Sequence, residues 1–518
     1  MQDAWWKEAV IYQVYPRSFK DANGDGVGDI PGIIEKLDYI RDLGATAIWL
    51  NPIFASPHVD NGYDVSNYEK IDPVFGTMED VERLIQEAKK RGLKIILDLV
   101  LNHTSDRHPW FREARKSKEN PYRDYYIWHD PVEGREPTNW ASFFGGSTWA
   151  FDQQTGQYYF HLFSDKMPDL NWENKKVREE MAKIALFWLD KGVDGFRLDA
   201  VIHLAKDTRF LPVKTKSEEA FVLAEQYYAN LPRVHDYIRE FNRTIKAKHP
   251  EAFLIGETAS ADTKLARLYS RPDREECDCI ITFNYLGFDT EAKKPGIPQN
   301  WQQGKWNLLA FKKAMSRWQN DLYGEGFNSL YWNNHDMPRA LSRFGDEGKY
   351  REKSAKMLAT LMYLQWGLPI LLQGEEIGMV NLKLPRLQDY EDPSIKGLAT
   401  IAKKKGYAEE EILKMVQQRS KDTSRGAMQW NNDRYGGFST YAPWLGINED
   451  TRTVNVAAQE KDPGSVLHYY RKLIELKKSM PVFTAGSWEM LADEDPDIYA
   501  YIRKHEGSCA MIVCNTSK

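Results

Sequence analysis

Three acidic residues follow short apolar runs, where buried charge is unusual. Asp199 follows residues 195–198, Glu257 follows residues 254–256, and Asp336 ends the segment 333–336. Such runs predict parallel strands, and a carboxylate at a strand's carboxyl end points out of the sheet. When the sheet closes into a barrel, several such ends surround one cavity. Because unpaired charge is costly there, we interpret the three carboxylates as groups that do chemistry.

Strand-like and helix-like segments alternate along the chain, which predicts a parallel sheet. We predict eight strands, at residues 10–15, 46–50, 94–101, 195–198, 253–256, 280–283, 330–333 and 370–372. Helical patterns lie between them, at residues 31–43, 78–91, 175–191 and 353–366 among others. Eight strands with intervening helices predict an α/β fold, the (β/α)8 barrel.

Two long stretches interrupt this alternation. Residues 103–171 are rich in Trp, Tyr, Gly, Asp and Pro, and we interpret them as an inserted subdomain after the third strand. Residues 374–455 form an excursion after the eighth strand, with a helix near residues 409–418. We therefore assign residues 1–102 and 172–480 to the barrel, and residues 481–518 to a small antiparallel β module with strands at 498–502 and 510–514.

The overall charge limits the kinds of partner. A net charge of −5 over 518 residues argues against nucleic acid or an anionic membrane, and is compatible with a neutral small molecule. No signal peptide or membrane span is evident, and the four cysteines lack zinc spacing, so we expect reduced thiols in a cytoplasmic protein. We expect a monomer or a weak homo-oligomer.

Four sequence blocks occur in an order that resembles the α-amylase family, glycoside hydrolase family 13. They are DLVLNH at 98–103, GFRLDAV at 195–201, GET at 256–258 and NNHD at 333–336. The resemblance is closer to the oligo-1,6-glucosidase and α-glucosidase branch, and it runs from Trp5 to about Val482. The C-terminal β module is shorter than this family's usual β domain, which leaves open whether it is complete.

The resemblance implies a role for each carboxylate. Asp199 would be the nucleophile of a retaining glycosidase, Glu257 the general acid and base, and Asp336 the group that holds the distorted sugar. Arg197 lies two residues before Asp199 on the same strand face, where its charge would keep Asp199 ionised. Retention predicts about 5–5.5 Å between the carboxyl groups of Asp199 and Glu257.

Further residues match substrate-binding positions of that family. His103 and His335 would hydrogen-bond hydroxyl groups of one glucose, and Tyr63 would stack on its ring. Asp60 and Arg425 would hold the non-reducing end and close the pocket floor, although residues 426–427 depart from the common motif around Arg425. Phe144 and Phe163 would flank the sugar, with packing of the inserted subdomain as the alternative.

Ala200, directly after the predicted nucleophile, bears on linkage. In this branch Val there accompanies α-1,6 cleavage, and Ala or Thr accompanies α-1,4 cleavage. We therefore expect an exo-acting α-glucosidase that prefers maltose and short maltooligosaccharides. Alternatives on the same scaffold are an oligo-1,6-glucosidase, a trehalose-6-phosphate hydrolase, and a sucrose isomerase or transglucosidase. A non-catalytic barrel that acts as a binding subunit is the alternative from another class.

The segment 21–29 has oxygen donors on alternate residues and glycine at its sixth place, as in loops that bind Ca²⁺. The ligands would be Asp21, Asn23, Asp25, the Val27 carbonyl and Asp29. We expect a structural Ca²⁺ ion, with Mg²⁺ as an alternative, and no organic cofactor. The competing interpretation is a polar turn that caps the following helix.

Overall fold

In the computed structural model, which describes residues 4–215 and 220–517, eight parallel strands form the central sheet. Their order is sixth, fifth, fourth, third, second, first, eighth and seventh. The Ile280 N–H donates to the Phe327 carbonyl at 3.2 Å and pairs the sixth strand with the seventh, which completes the ring. The predicted (β/α)8 barrel is confirmed. The strands are Ile11–Val14, Ala47–Leu50, Lys94–Val100, Gly195–Asp199, Phe253–Glu257, Cys279–Ile281, Ser329–Leu330 and Leu368–Leu372.

The barrel strands are buried on both faces, as expected for a parallel sheet that is covered by helices. Every residue of Gly195–Asp199 and Phe253–Glu257 is buried, and in Lys94–Val100 only the first residue is not. The longer helices around the barrel are Met78–Lys90, Lys175–Asp190, Pro232–Lys246, Thr263–Ser270, Leu308–Leu322, Arg351–Tyr363 and Val466–Ser479.

Some element boundaries differ from the sequence prediction. The predicted helix at 31–43 is two helices, Ile30–Glu35 and Leu37–Leu43, and Lys36 between them leaves helical geometry at φ −107° and ψ 6°. The seventh strand ends at Leu330 rather than at residue 333. His335 and Asp336 therefore lie on a loop beyond that strand. The eighth strand begins two residues earlier than predicted, at Leu368.

The inserted subdomain has its own small sheet, formed by Trp128–His129, Gln157–Phe160 and Trp149–Asp152 in that order. Its core contains Trp140, Trp149 and Phe160, together with Ala224 and Tyr228 from the segment after the fourth barrel strand. That segment therefore packs with the insertion, a partnership that the sequence boundaries at 103–171 did not predict.

The late excursion carries two helices, Ser394–Lys404 and Glu409–Arg419, which share an apolar core with Trp301. The C-terminal module is an antiparallel sheet of three strands, Ser487–Leu491, Ile498–His505 and Ser508–Asn515. The first of these was not predicted. The four cysteines are unpaired, and the described helices include none with the length and apolarity to cross a membrane.

Candidate active site

A cavity of about 440 Å³ lies at the carboxyl ends of the barrel strands, a volume typical of small-molecule sites. Asp199, Glu257 and Asp336 all line it. Its other described lining residues come from the barrel loops, the insertion and the late excursion: Asp60, Tyr63, His103, Phe143, Phe144, Phe163, Met167, Ala200, Ile202, His203, Glu225, Ala259, Ser260, Phe283, Asn300, Ser394 and Lys421.

Arg197 is the centre of the charged network beneath this cavity. Its guanidinium is fully buried and lies 2.6 Å from Asp199 Oδ1, 2.9 Å from Asp98 Oδ1 and 2.8 Å from Glu257 Oε1. These residues come from three adjacent strands, and the register places Asp98 directly opposite Arg197. The two carboxylates at the cavity surface are therefore held by one rigid cation.

Tyr63 joins this network to the loop after the seventh strand. Its hydroxyl donates to Asp98 Oδ2 at 2.8 Å and lies 2.6 Å from His335 Nε2. The Gln13 amide lies 2.9 Å from His335 Nδ1, so Nδ1 accepts and Nε2 carries the proton. Nε2 is also 3.1 Å from Asp336 Oδ2, and the rings of Tyr63 and His335 stack at 5.2 Å.

Burial raises the pKa of Asp199 well above its usual value; Arg197 lowers it, and the negative charge of Glu257 raises it further. Burial also raises the pKa of Glu257, where Arg197 opposes the effect and Asp336 adds to it. The negative charge of Glu257 thus disfavours ionisation of Asp199, and that of Asp336 disfavours ionisation of Glu257. Carboxyl groups this close together favour a state in which one is protonated and another is ionised.

The two histidines predicted to bind sugar are neutral. Burial lowers the pKa of His103 to about 4, and His103 Nε2 lies 3.2 Å from the Tyr63 carbonyl. Burial, with the charges of Arg425 and Arg197, lowers the pKa of His335 well below its usual value. Neutral imidazoles can still donate to or accept from hydroxyl groups. His103 lines the cavity, whereas His335 is not among its described lining residues and contacts Tyr63 and Asp336 instead.

The cation beside Asp60 is Lys421, which the sequence reasoning missed. Lys421 Nζ lies 2.8 Å from Asp60 Oδ1 and 5.2 Å from the ring centre of Phe144. Arg425, predicted to act with Asp60, instead donates to the His335 carbonyl at 2.8 Å and lies 3.1 Å from Asp336 Oδ1. No local sequence pattern marks Lys421 as the partner of Asp60, which lies 361 residues earlier in the chain.

The remaining predicted binding residues lie in the cavity wall. Phe144 and Phe163 from the insertion face it, with ring centres 5.7 Å apart. Ala200 lies in the left-handed region at φ 46°, which is uncommon for a residue other than glycine. This conformation directs its N–H to Glu257 Oε2 at 3.0 Å. Backbone strain at Ala200 therefore coincides with a bond to a predicted catalytic group.

The loop predicted to bind calcium bonds to its own backbone. Asp21 accepts from the N–H groups of Gly24 and Gly26, and Asp29 accepts from Gly32 as the cap of helix Ile30–Glu35. Within the described ranges, no group of three or more Asp, Glu, His or Cys side chains is arranged to hold a metal ion. Asp29 is therefore the N-cap of this helix, as the competing interpretation expects. Calcium binding stays a prediction.

Carboxylates around one cavity at the carboxyl face of a (β/α)8 barrel are typical of glycoside hydrolases. Residues 13–486 match the family described as alpha amylase, catalytic domain. The chain is 46% identical to the oligo-1,6-glucosidase of Parageobacillus thermoglucosidasius, over 100% of this chain and 91% of that protein. The chain therefore belongs to the α-amylase family, glycoside hydrolase family 13, and is a glycoside hydrolase.

Other relatives in this family bear different names. The trehalose-6-phosphate hydrolase of Bacillus subtilis is 43% identical over 99% of this chain and 90% of that protein. The solved structure of the trehalose-6-phosphate hydrolase of Bacillus licheniformis has a TM-score of 0.92 at 43% identity, covering 99% of this chain and 91% of that chain. The trehalulose synthase of Pseudomonas mesoacidophila has a TM-score of 0.93 at 41% identity, with the same coverage.

Proposed function

We propose that this protein is a retaining, exo-acting α-glucosidase that releases α-glucose from maltose and short maltooligosaccharides. The observation that carries the proposal is the meeting of Asp199, Glu257 and Asp336 in one cavity, with Arg197 bound to the first two. A retaining mechanism needs one carboxylate as nucleophile and a second as acid and then base, on neighbouring positions of one site.

In the first step Asp199 attacks the anomeric carbon and forms a glycosyl ester, while the bond to the leaving oxygen breaks. Glu257 gives its proton to that oxygen. In the second step a water gives its proton to Glu257 and attacks the same carbon, and the ester breaks to free α-glucose and the Asp199 carboxylate. Asp336 accepts hydrogen bonds from hydroxyl groups of the distorted ring, and these strengthen toward the transition state.

Exo action is supported by charged groups in the cavity wall. The Asp60–Lys421 pair offers both a hydrogen-bond acceptor and a donor, a combination that suits sugar hydroxyls. Next to the pair, Tyr63 presents an aromatic ring to the same cavity. We assign the non-reducing end of the substrate to this part of the wall, with Lys421 in the place that the sequence prediction gave to Arg425.

The linkage preference rests on Ala200. A small side chain directly after the nucleophile leaves room for a second sugar in the α-1,4 geometry, and differences of this size are worth about 1–3 kcal/mol. The names of several relatives favour the alternative, an oligo-1,6-glucosidase.

A phosphorylated substrate is less suited to the site. Lys421 is the one Lys or Arg among the described lining residues, against five carboxylates.

A substrate panel tests the proposal. Purified protein is assayed on maltose, maltotriose, isomaltose, sucrose, trehalose and trehalose-6-phosphate, and the product anomer is followed by NMR. We expect α-glucose as the first product and the highest kcat/KM on maltose or maltotriose. Equal or better turnover of isomaltose would overturn the α-1,4 preference, and β-glucose as the first product would overturn retention. An Ala200→Val variant should gain isomaltose activity relative to maltose.

A further inference from the structure

A glycine lies inside the first helix of the late excursion, where the helix meets the inserted subdomain. Gly397 belongs to Ser394–Lys404, and a Cβ atom built on it would lie only 2.9 Å from the Phe144 carbonyl oxygen. From the other side, a Cβ on Gly145 would lie 3.7 Å from Gly397 Cα. Glycine weakens a helix relative to alanine. Here it coincides with a close backbone contact that a larger residue would displace.

The start of this helix is tied to the turn that carries Lys421. Asp392 Oδ1 accepts from Ser394 N at 3.0 Å, and its Oδ2 accepts from the Ser420 hydroxyl at 2.9 Å and from Lys421 N at 3.3 Å. In return, Asp422 Oδ2 accepts from Glu391 N at 2.6 Å and from Asp392 N at 2.8 Å. Asp392 and Asp422 are buried, so the helix start and the Lys421 turn behave as one unit.

This unit meets the insertion at a second point. Lys421 lies over the Phe144 ring and pairs with Asp60, and Phe144, Ser394, Lys421 and Asp60 all line the cavity. The Gly397 contact and the Lys421 contact therefore fix the same wall of the cavity from two sides. A displacement at Gly397 is transmitted to Lys421 through the bonds of Asp392.

We propose that Gly397 positions Lys421 for binding of the terminal sugar: its lack of a side chain sets the distance between Phe144 and the Ser394–Lys421 unit, and so keeps Lys421 beside Asp60 in the cavity wall. The inference rests on the proposed α-glucosidase activity. Gly397 does not touch the reacting atoms, so it is a positioning residue. A side chain there would move Ser394 and Lys421 away from the insertion and widen the cavity.

The test compares Gly397→Ala and Gly397→Val with Lys396→Ala, a control at an exposed neighbouring position of the same helix. We measure kcat and KM on maltose and maltohexaose, or on the matching pair of whichever linkage the wild type cleaves. KM should rise by about tenfold for both substrates in Gly397→Val and less in Gly397→Ala, with kcat little changed, because both substrates place the same terminal sugar beside Lys421. KM should not change in Lys396→Ala.

Melting temperature gives a readout that does not depend on activity. Replacing a helical glycine by alanine normally stabilises a protein, so a contact-free Gly397 would give a higher Tm in Gly397→Ala. We expect a lower Tm. If Gly397→Val does not fold, Gly397→Ala decides both readouts. A KM within about twofold of wild type, or a raised Tm, overturns the inference, whereas a wild type inactive on every glucoside of the panel overturns the proposed function instead.

Discussion

Replacing Tyr63 by Phe removes one hydroxyl and leaves the aromatic ring in the cavity wall. That hydroxyl donates to Asp98 Oδ2 at 2.8 Å, accepts from the Asn51 amide at 2.8 Å, and lies 2.6 Å from His335 Nε2. In the variant, Asp98 Oδ2 still accepts a hydrogen bond from the Trp49 indole N–H at 3.1 Å, while the Asn51 amide loses its hydrogen bond to the Tyr63 hydroxyl. A buried polar group left unsatisfied costs about 1–3 kcal/mol, so the free energy of unfolding should fall by about that amount.

The same change should slow catalysis more than it weakens binding. Asp98 would lose one fixed neighbour, and Asp98 in turn holds Arg197, which positions both Asp199 and Glu257. We expect kcat to fall by about 10- to 100-fold, equivalent to about 1.4–2.7 kcal/mol in the barrier, with KM nearly unchanged because the ring remains. Tyr63→Ala, which also removes the ring, should raise KM as well.

Steady-state kinetics on maltose and urea unfolding measure the two effects, and Tyr285→Phe is the matched control. The Tyr285 hydroxyl is also buried and donates to the Ser329 carbonyl at 2.9 Å, but Tyr285 is not among the described residues that line the cavity. The control should lose about 1 kcal/mol of stability and keep its kcat. If Tyr63→Phe behaves like the control, the hydroxyl does not position the catalytic groups and the reasoning is refuted.

Three further predictions concern charge and metal. Asp199→Asn should lower kcat by at least about 10⁴-fold with the fold intact by circular dichroism, and retained activity would remove Asp199 from its role. Burial raises the pKa of Glu375 to about 7, so its protonated form stabilises the fold at low pH and this contribution is lost as pH rises from about 4.5 to about 7. The unfolding free energy of Glu375→Gln should therefore match that of wild type near pH 5 and exceed it by about 3 kcal/mol at pH 8. Parallel pH profiles of the two proteins would contradict this. If the Asp21–Asp29 loop holds calcium, EDTA should lower Tm and added Ca²⁺ restore it, while an unchanged Tm would leave Asp29 as a helix cap alone.

The sequence predicts the reaction centre well because its residues follow local strand patterns. Asp199 and Glu257 each end a short buried strand, and a parallel barrel places such ends together whatever the intervening loops do. The register that sets Asp98 beside Arg197 follows from the same packing. Asp336 is less local, because its strand ends at Leu330 and the side chain is positioned by contacts with His335 and Arg425.

The cavity wall was harder to predict because it depends on contacts between distant segments. Lys421 and Asp60 are 361 residues apart, and nothing near either residue specifies the pairing. Gly397 looks like a weak point in a helix until the Phe144 carbonyl is placed beside it. Loop-to-loop packing of this kind has no periodic pattern in the sequence, so only the folded chain reveals which residues meet.

The catalytic groups and the cavity wall therefore belong to two different parts of the molecule. Three adjacent barrel strands hold Asp98, Arg197, Asp199 and Glu257 in a fully packed sheet, where a small displacement would separate Arg197 from three carboxylates at once. The insertion and the late excursion meet through contacts such as those of Phe144 with Gly397 and Lys421. Because such contacts can shift without disturbing the barrel, substrate choice can change there while the reaction stays the same. Variants at Gly397 and Lys421 should thus alter substrate binding at a lower cost in stability than variants at Arg197.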